Sequence, residues 1–343
     1  MKVAVLGFAH GHVSMYCDVW RDRPELGIEV VSAWDHDPAR LADVAAKRSL
    51  KAFADLAELL AQPGIEAVVI GAETSLHADL VIAAARAGKR IVLQKPMALT
   101  MAQADSVVAV LEETGAPFTV AWQMRVDAQN LRMKQLMREG VLGRTLMVRR
   151  RHGLNSHQWP WFENSWHVKP ELNRGVWADD AAHAVDFIYW LLGPPISVFA
   201  EVDTLLNPKV PDDHGIAVFR YADGAFAEVV SSFTCVAGEN TTEIVGENGC
   251  VIQNYGDVPS CNRPRPKDAV GLKWFLRDGN EWIDSAIPSP AAHGERISGL
   301  AEPLAEFLHG RRPPIATAAE GRDVLRLILA CHESSEAGRR ITL

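Results

Sequence analysis

From Lys2 to about Met147, short β-branched runs alternate with stretches whose apolar residues recur at helical spacing. That alternation predicts parallel strands joined by crossover helices. The predicted strands are Val3–Leu6, Glu29–Ala33, Ala67–Gly71, Arg90–Leu93, Phe118–Ala121 and Leu146–Arg149. Between them, predicted helices such as His77–Ala87 and Met101–Thr114 are each closed by a glycine, Gly88 and Gly115. After His152 the texture changes to a stretch rich in Trp, His, Asn and Pro, followed by one strong predicted helix from about Ala178 to Leu192. From Ile196 onward, alternating segments such as Ala217–Tyr221, Phe226–Ser231 and Glu243–Val245 are separated by turns at Ala222-Asp223-Gly224 and Glu247-Asn248-Gly249. These predict antiparallel sheet. Two amphipathic helices, about Gly294–Leu308 and Ala318–Ala337, precede a final short strand, and no repeat or low-complexity tract interrupts the pattern.

A chain of 343 residues exceeds one small core, so two domains are expected. We divide them as residues 1–121, a doubly wound parallel sheet, and residues 122–343, an α/β domain, with the last helix packing back on the first. Hydrophobic residues at 48% and charged residues at 23% describe an ordinary globular protein. A net charge of -8 and a pI near 5.8 offer no attraction to phosphate backbones or anionic lipid. Neither nucleic acid nor membrane is an expected partner. The one basic cluster, Arg149-Arg150-Arg151, ends a predicted strand and reads as a solvated edge. Cys17, Cys235, Cys250, Cys261 and Cys331 are scattered without a C-x-x-C spacing and read as reduced thiols. The first apolar run is too brief for a signal peptide, and no segment has the uncharged length of a membrane span. A cytoplasmic location is the expectation.

The first strand runs into Gly7-Phe8-Ala9-His10-Gly11-His12, a tight turn opening a helix whose N-terminal amides can hold a pyrophosphate. Ala9 and His12 stand at the second and third glycine positions of the usual fingerprint. Asp35 follows the second predicted strand, where a carboxylate accepts hydrogen bonds from the adenosine ribose hydroxyls and repels a 2′-phosphate. The next residue is His36 rather than Arg, so NAD is favoured over NADP. A simpler reading, that Asp35 opens the Asp35-His36-Asp37-Pro38 turn, stays open.

Three further stretches carry a resemblance: Thr74-Ser75-Leu76-His77, Ala87 through Lys95-Pro96, and Asp179-x-x-x-His183-x-x-Asp186. Together with the run from Glu320-Gly321-Arg322 to Arg339, they resemble the glucose-fructose oxidoreductase and inositol dehydrogenase family, often called Gfo/Idh/MocA, over nearly the whole chain. The resemblance implies a Rossmann domain, then an α/β domain whose large, mostly antiparallel open sheet makes homodimer or homotetramer contacts, with chemistry at the cleft between them. It implies NAD as cofactor, with Thr74, His77, Gln94 and Lys95 joining Gly7, Phe8, Ala9, His10, His12 and Asp35 around the dinucleotide. The lysine of the family's Glu-Lys-Pro motif corresponds to Lys95, and its aspartate and histidine four apart to Asp179 and His183. Gln94 replaces the usual glutamate, which contacts the cofactor region, and Arg174 and Ala181 occupy positions that are commonly glycine.

Lys95 falls just past a strand, at the carboxyl edge where open α/β sheets bind ligands. An ammonium there can stabilise the alkoxide character that grows on a reacting hydroxyl. Asp179 and His183 share a face of the predicted helix. Imidazole, with an unperturbed pKa of about 6.5, suits a proton acceptor, and Asp179 would orient it or bind a neighbouring hydroxyl. A plain surface ion pair is the bland alternative. Asp179, Asp180, His183 and Asp186 could also serve a metal, but Asp186 lies in the apolar run Phe187-Ile188-Tyr189-Trp190 and is expected to pair internally. His152, His157 and His167 lack the spacing of a metal motif. No metal is expected. Trp159, Trp161, Trp166 and Trp177, among ten tryptophans, could stack on the C–H faces of a sugar or pack in a core. Trp122, Gln123 and Arg125 are further candidates for the substrate site.

The resulting expectation is reversible oxidation of a secondary hydroxyl on a sugar, inositol or sugar derivative. Two alternatives are a glycosidase or epimerase that retains NAD and oxidises transiently, and a non-catalytic sugar or dinucleotide sensor. Retention of Lys95, Asp179 and His183 argues against the sensor.

Overall fold

The structure is a computed structural model that describes residues 1–236, 240–254, 269–290 and 293–343, and the expectation for Cys261 lies outside the described residues. The chain condenses into two compact units: residues 1–123, 171–173 and 297–325, and the remainder.

The first unit carries a parallel sheet of β1 (Lys2–Leu6), β2 (Glu29–Trp34), β3 (Lys51–Phe53), β4 (Ile65–Ile70), β5 (Arg90–Leu93) and β6 (Phe118–Val120). Its order is β3-β2-β1-β4-β5-β6. Val3 through Leu6 are fully buried, as a central parallel strand covered on both faces requires. The chain reverses its winding between β1 and β4, which places the ends of these two strands at the topological switch where doubly wound sheets bind ligands. Helices α1 (His12–Asp22), α2 (Pro38–Arg48), α3 (Leu56–Leu60), α4 (His77–Arg86) and α5 (Met101–Thr114) make the crossovers. Local chemistry explains their ends. Asp37 caps α2 through the amides of Ala39 and Arg40 with Pro38 in the first turn, and Thr100 with Gln103 closes a capping box on α5. Gly88 and Gly115, at φ +68° and +65°, terminate α4 and α5 as expected. The strand β3 was illegible because two of its three residues are exposed and leave no apolar run.

The second unit is built on a nine-stranded sheet, order β14-β13-β12-β11-β7-β10-β9-β8-β15. Its strands are β7 (Thr145–Gly153), β8 (Ser197–Asp203), β9 (His214–Arg220), β10 (Phe226–Ser232), β11 (Asn240–Gly246), β12 (Gly249–Gln253), β13 (Leu272–Leu276), β14 (Ile283–Asp284) and β15 (Ile341–Thr342). Among the described residues every pairing is antiparallel except β10 with β7.

Four expectations need correction. The strand at Leu146–Arg149 is β7, longer than expected and a member of this second sheet rather than of the parallel one. Of the basic triplet read as a solvated edge, Arg151 is exposed and Arg149 half-buried, but the strand is no edge. β7 is an interior strand, and Arg150 is buried, donating to Thr242 Oγ1 at 2.6 Å and Gln253 Oε1 at 3.1 Å while its guanidinium covers the Phe187 ring. The helix expected from Ala178 starts as a wider π turn, Trp177–Ala181, before a regular helix Ala182–Leu192. The helix expected at Gly294–Leu308 is two, His293–Ser298 and Ala301–Leu308, separated by a turn in which the Leu300 amide donates to Ile297. No helix among the described residues is long and apolar enough to cross a membrane.

Candidate active site

In the first unit, β1 ends at Gly7, whose φ of +85° and whose absent side chain are both required: a Cβ there would stand 2.5 Å from the Ala72 backbone. The turn is pinned on both sides. Gly7 N donates to Trp34 O at 2.7 Å, and His10 N donates to Gly71 O at 2.8 Å. At the start of α1, Gly11 supplies no side-chain cap and has open space where a Cβ would project. An uncapped helix N-terminus with room beside it fits the pyrophosphate of a dinucleotide. Phe8 contributes its amide to Asp35, and the His10 and His12 rings meet edge to face at 4.3 Å.

Around the ends of β4 and β5 the remaining expected residues are buried among protein partners. Thr74 Oγ1 donates to Asn173 Oδ1 at 2.7 Å. His77 lies between two backbone carbonyls, Pro96 O at 2.7 Å from Nδ1 and Ala72 O at 3.1 Å from Nε2, so it ties the two strand-end loops together. Gln94 donates to the Tyr16 hydroxyl, and burial pushes the Tyr16 pKa up. A neutral amide therefore occupies the place the resemblance gives to a carboxylate. Lys95 is buried at the carboxyl end of β5, and Trp122 is buried after β6.

Asp35 stands where the adenosine ribose was expected, but its carboxylate is engaged by residues the sequence reading did not assign. Arg40 binds it through Nε and Nη2 at 2.7 and 2.8 Å and reaches Glu73 at 3.1 Å.

The second unit gathers imidazoles and carboxylates. His167 Nδ1 donates to Asp179 Oδ2 at 2.7 Å. The His152 Nε2 atom is 3.0 Å from Asp180 Oδ2, and the His152 ring stacks on His183 with centroids 5.6 Å apart. The π turn supplies both aspartates, and π turns recur at functional sites because they re-aim consecutive side chains. Asp179, Asp180, His152 and His183 are all buried. Among the described residues, no three His, Cys, Asp or Glu side chains are arranged to hold a metal ion.

The sequence-expected aromatic residues divide. Trp177 is buried, with its ring filling the space where a Gly215 Cβ would stand, and Trp159 packs against the core cluster of Leu154, Phe162, Val168, Val176, Val210 and Phe233. Trp161 stacks on Trp159 at 5.7 Å yet is 58% exposed, and Trp166 stacks on His167 at 4.0 Å. Arg125 and Asp186 form a buried bidentate pair at 2.8 to 3.1 Å, the internal partner expected for Asp186. Arg174, in place of a commonly found glycine, adopts the left-handed φ of +62° that glycine would favour.

Comparison with known proteins follows this division. Residues 1–122 match an oxidoreductase family with an NAD-binding Rossmann fold, and residues 130–252 match the C-terminal domain of the GFO/IDH/MocA family. The chain is 27% identical over 284 residues to the 1,5-anhydro-D-fructose reductase of Ensifer adhaerens, covering 81% of this chain and 84% of the relative. It is 24% identical over 302 residues to the myo-inositol 2-dehydrogenase of Thermotoga maritima, covering 85% and 84%. Among solved structures, the WlbA dehydrogenase of Bordetella pertussis in complex with NADH and UDP-GlcNAcA superposes with a TM-score of 0.81 at 25% identity, covering 100% of this chain and 97% of that one. Levoglucosan dehydrogenase in complex with NADH and levoglucosan shares the fold with a TM-score of 0.83 at 20% identity, covering 100% and 98%. The chain belongs to the Gfo/Idh/MocA family of oxidoreductases, and its first 122 residues are an NAD-binding Rossmann fold.

Proposed function

We propose that this protein catalyses the reversible oxidation of a secondary hydroxyl on a sugar, an inositol or a sugar derivative, with NAD preferred over NADP. The observation that carries the reading is the buried cluster in which Asp179 holds His167 and Asp180 lies against His152, itself stacked on His183. Imidazoles set beside carboxylates can take and return a proton near neutrality, which oxidation and reduction of an alcohol demand. NAD, when bound, supplies the acceptor for the hydride.

The chain's own residues do the rest. His183 accepts the hydroxyl proton. Lys95, as an ammonium, donates a hydrogen bond to the same oxygen and stabilises its developing negative charge. Asp179, through its bond to His167 or to a neighbouring hydroxyl, positions the groups around that oxygen. Trp161 and Trp166 offer flat faces for the C–H side of the ring, and Trp159, Arg125 and Trp122 are further substrate-site candidates. The curated relatives named above act on an anhydro sugar and an inositol, which supports the substrate class.

The test is to identify any nucleotide that copurifies by mass spectrometry, then to follow NADH absorbance with a panel of sugars, anhydro sugars and inositols. NADH formation with at least one member is the expected result. Interconversion of a substrate without net NADH would instead favour a retained-NAD epimerase or glycosidase, and binding without turnover would favour a sensor. We also propose a homodimer or homotetramer through the nine-stranded sheet, where Ile216, Phe226 and Ile283 are exposed. Light scattering after size exclusion checks that assembly.

A further inference from the structure

We propose that Glu73 sets the dinucleotide preference of this chain by holding Arg40 against Asp35, so that Arg40 rather than Asp35 meets the adenosine 2′-substituent. The inference rests on the dinucleotide reading above. A carboxylate offers about four lone-pair positions. In Asp35, Oδ2 accepts from Phe8 N at 2.8 Å and Arg40 Nε at 2.7 Å, while Oδ1 accepts from Asp37 N at 3.0 Å and Arg40 Nη2 at 2.8 Å. Its capacity is filled. The Asp35 side chain is also 0% exposed, whereas Arg40 retains 24%. A ribose arriving at the end of β2 therefore meets the guanidinium first.

Arg40 has two carboxylates around it. Its Nη2 donates to both Glu73 oxygens at 3.1 and 3.2 Å, beside the bonds to Asp35, and its Nη1 makes no hydrogen bond among the described residues. Nη1 can donate to a neutral ribose hydroxyl. His36 Nδ1 also lies 3.5 Å from Asp35 Oδ1 and 3.4 Å from Glu73 Oε2, and the two carboxylates exceed the one guanidinium by one negative charge, which opposes the dianionic 2′-phosphate of NADP. Removing the Glu73 charge brings the group to neutrality and frees one side of a planar donor fork suited to phosphate.

The experiment is titration of NAD and NADP into native protein, Glu73→Gln and Glu73→Asp, by isothermal calorimetry or tryptophan quenching, with circular dichroism melts to establish folding. In Glu73→Gln, the ratio of the NADP to the NAD dissociation constant should fall about tenfold or more relative to native. Glu73→Asp retains the charge and should stay close to the native ratio. An unchanged ratio in folded Glu73→Gln, or an equal fall in both variants, overturns the inference while leaving the dinucleotide reading intact. If native protein binds neither nucleotide, both fall together.

Discussion

Each compact unit buries a pair of carboxylates, and the two pairs face different partners. At the end of β2, Asp35 and Glu73 share the guanidinium of Arg40. In the π turn, Asp179 and Asp180 face the imidazoles of His167 and His152. A guanidinium keeps its proton at any physiological pH, so the first arrangement is a fixed pattern of charge suited to recognising a ligand. An imidazole exchanges its proton near neutrality, so the second can take part in proton transfer. On the proposed reading, the same acidic residue type serves binding in one unit and acid–base chemistry in the other, according to its partner.

The largest effect should come from the proton-handling side. His183→Ala and Lys95→Ala are each expected to lower kcat about a hundredfold or more, with dinucleotide affinity measured by titration largely intact. If both act on one oxygen, the double variant should be little worse than the poorer single one. Fully multiplicative losses would separate their roles.

Next in size is the exchange of an amide for each key carboxylate. Asp35→Asn places an amide where Arg40 and the Phe8 amide need acceptors, and should cost about 2 kcal/mol of unfolding free energy in denaturant titrations while weakening dinucleotide binding. Asp179→Asn should act mainly on kcat and on its pH profile, because the residue it releases is His167. The opposite assignment, with Asp35→Asn altering the pH profile, would break the contrast between the two clusters.

A smaller effect concerns stability against pH. Burial, reinforced by Arg174, lowers the His332 pKa to about 4. A depressed histidine contributes stability that is complete above its ordinary value and is lost as pH falls through the folded one. His332→Gln should therefore flatten the decline in melting temperature between about pH 6.5 and 4. Burial, with Asp203 next, raises neighbouring Asp212 to about 6, so its contribution is present at low pH and lost as pH rises through that value. The two trends oppose, and the variant should unmask the aspartate's. The smallest effect is expected at Trp161, whose exposure means that Trp161→Ala should leave stability within about 0.5 kcal/mol yet alter KM or substrate ranking.

Much of the first unit was legible because its signals are local. A glycine at the β1 turn, glycines after α4 and α5, and buried β-branched strands each follow from a few adjacent residues. Arg40 was missed because its partners lie 5 and 33 residues away, with no spacing that announces the triad. The second unit was harder to read. The β7 strand takes its place beside β10 and β11 by long-range pairing, which turns an apparently solvated Arg150 into a buried one. Asp179 and His183 stood out by their spacing, but the π turn and the partners His167 and His152 depend on how the preceding loop folds.

The central claim, that His183 is the base in a dinucleotide-dependent alcohol oxidation, is tested most directly by the pH dependence of kcat/KM with a substrate found in the screen. For native protein the value should rise with pH through one ionisation, since only neutral imidazole accepts the proton, and in His183→Ala that ionisation should be gone along with most of the rate. The same ionisation in His183→Ala, or turnover close to native, would contradict the account.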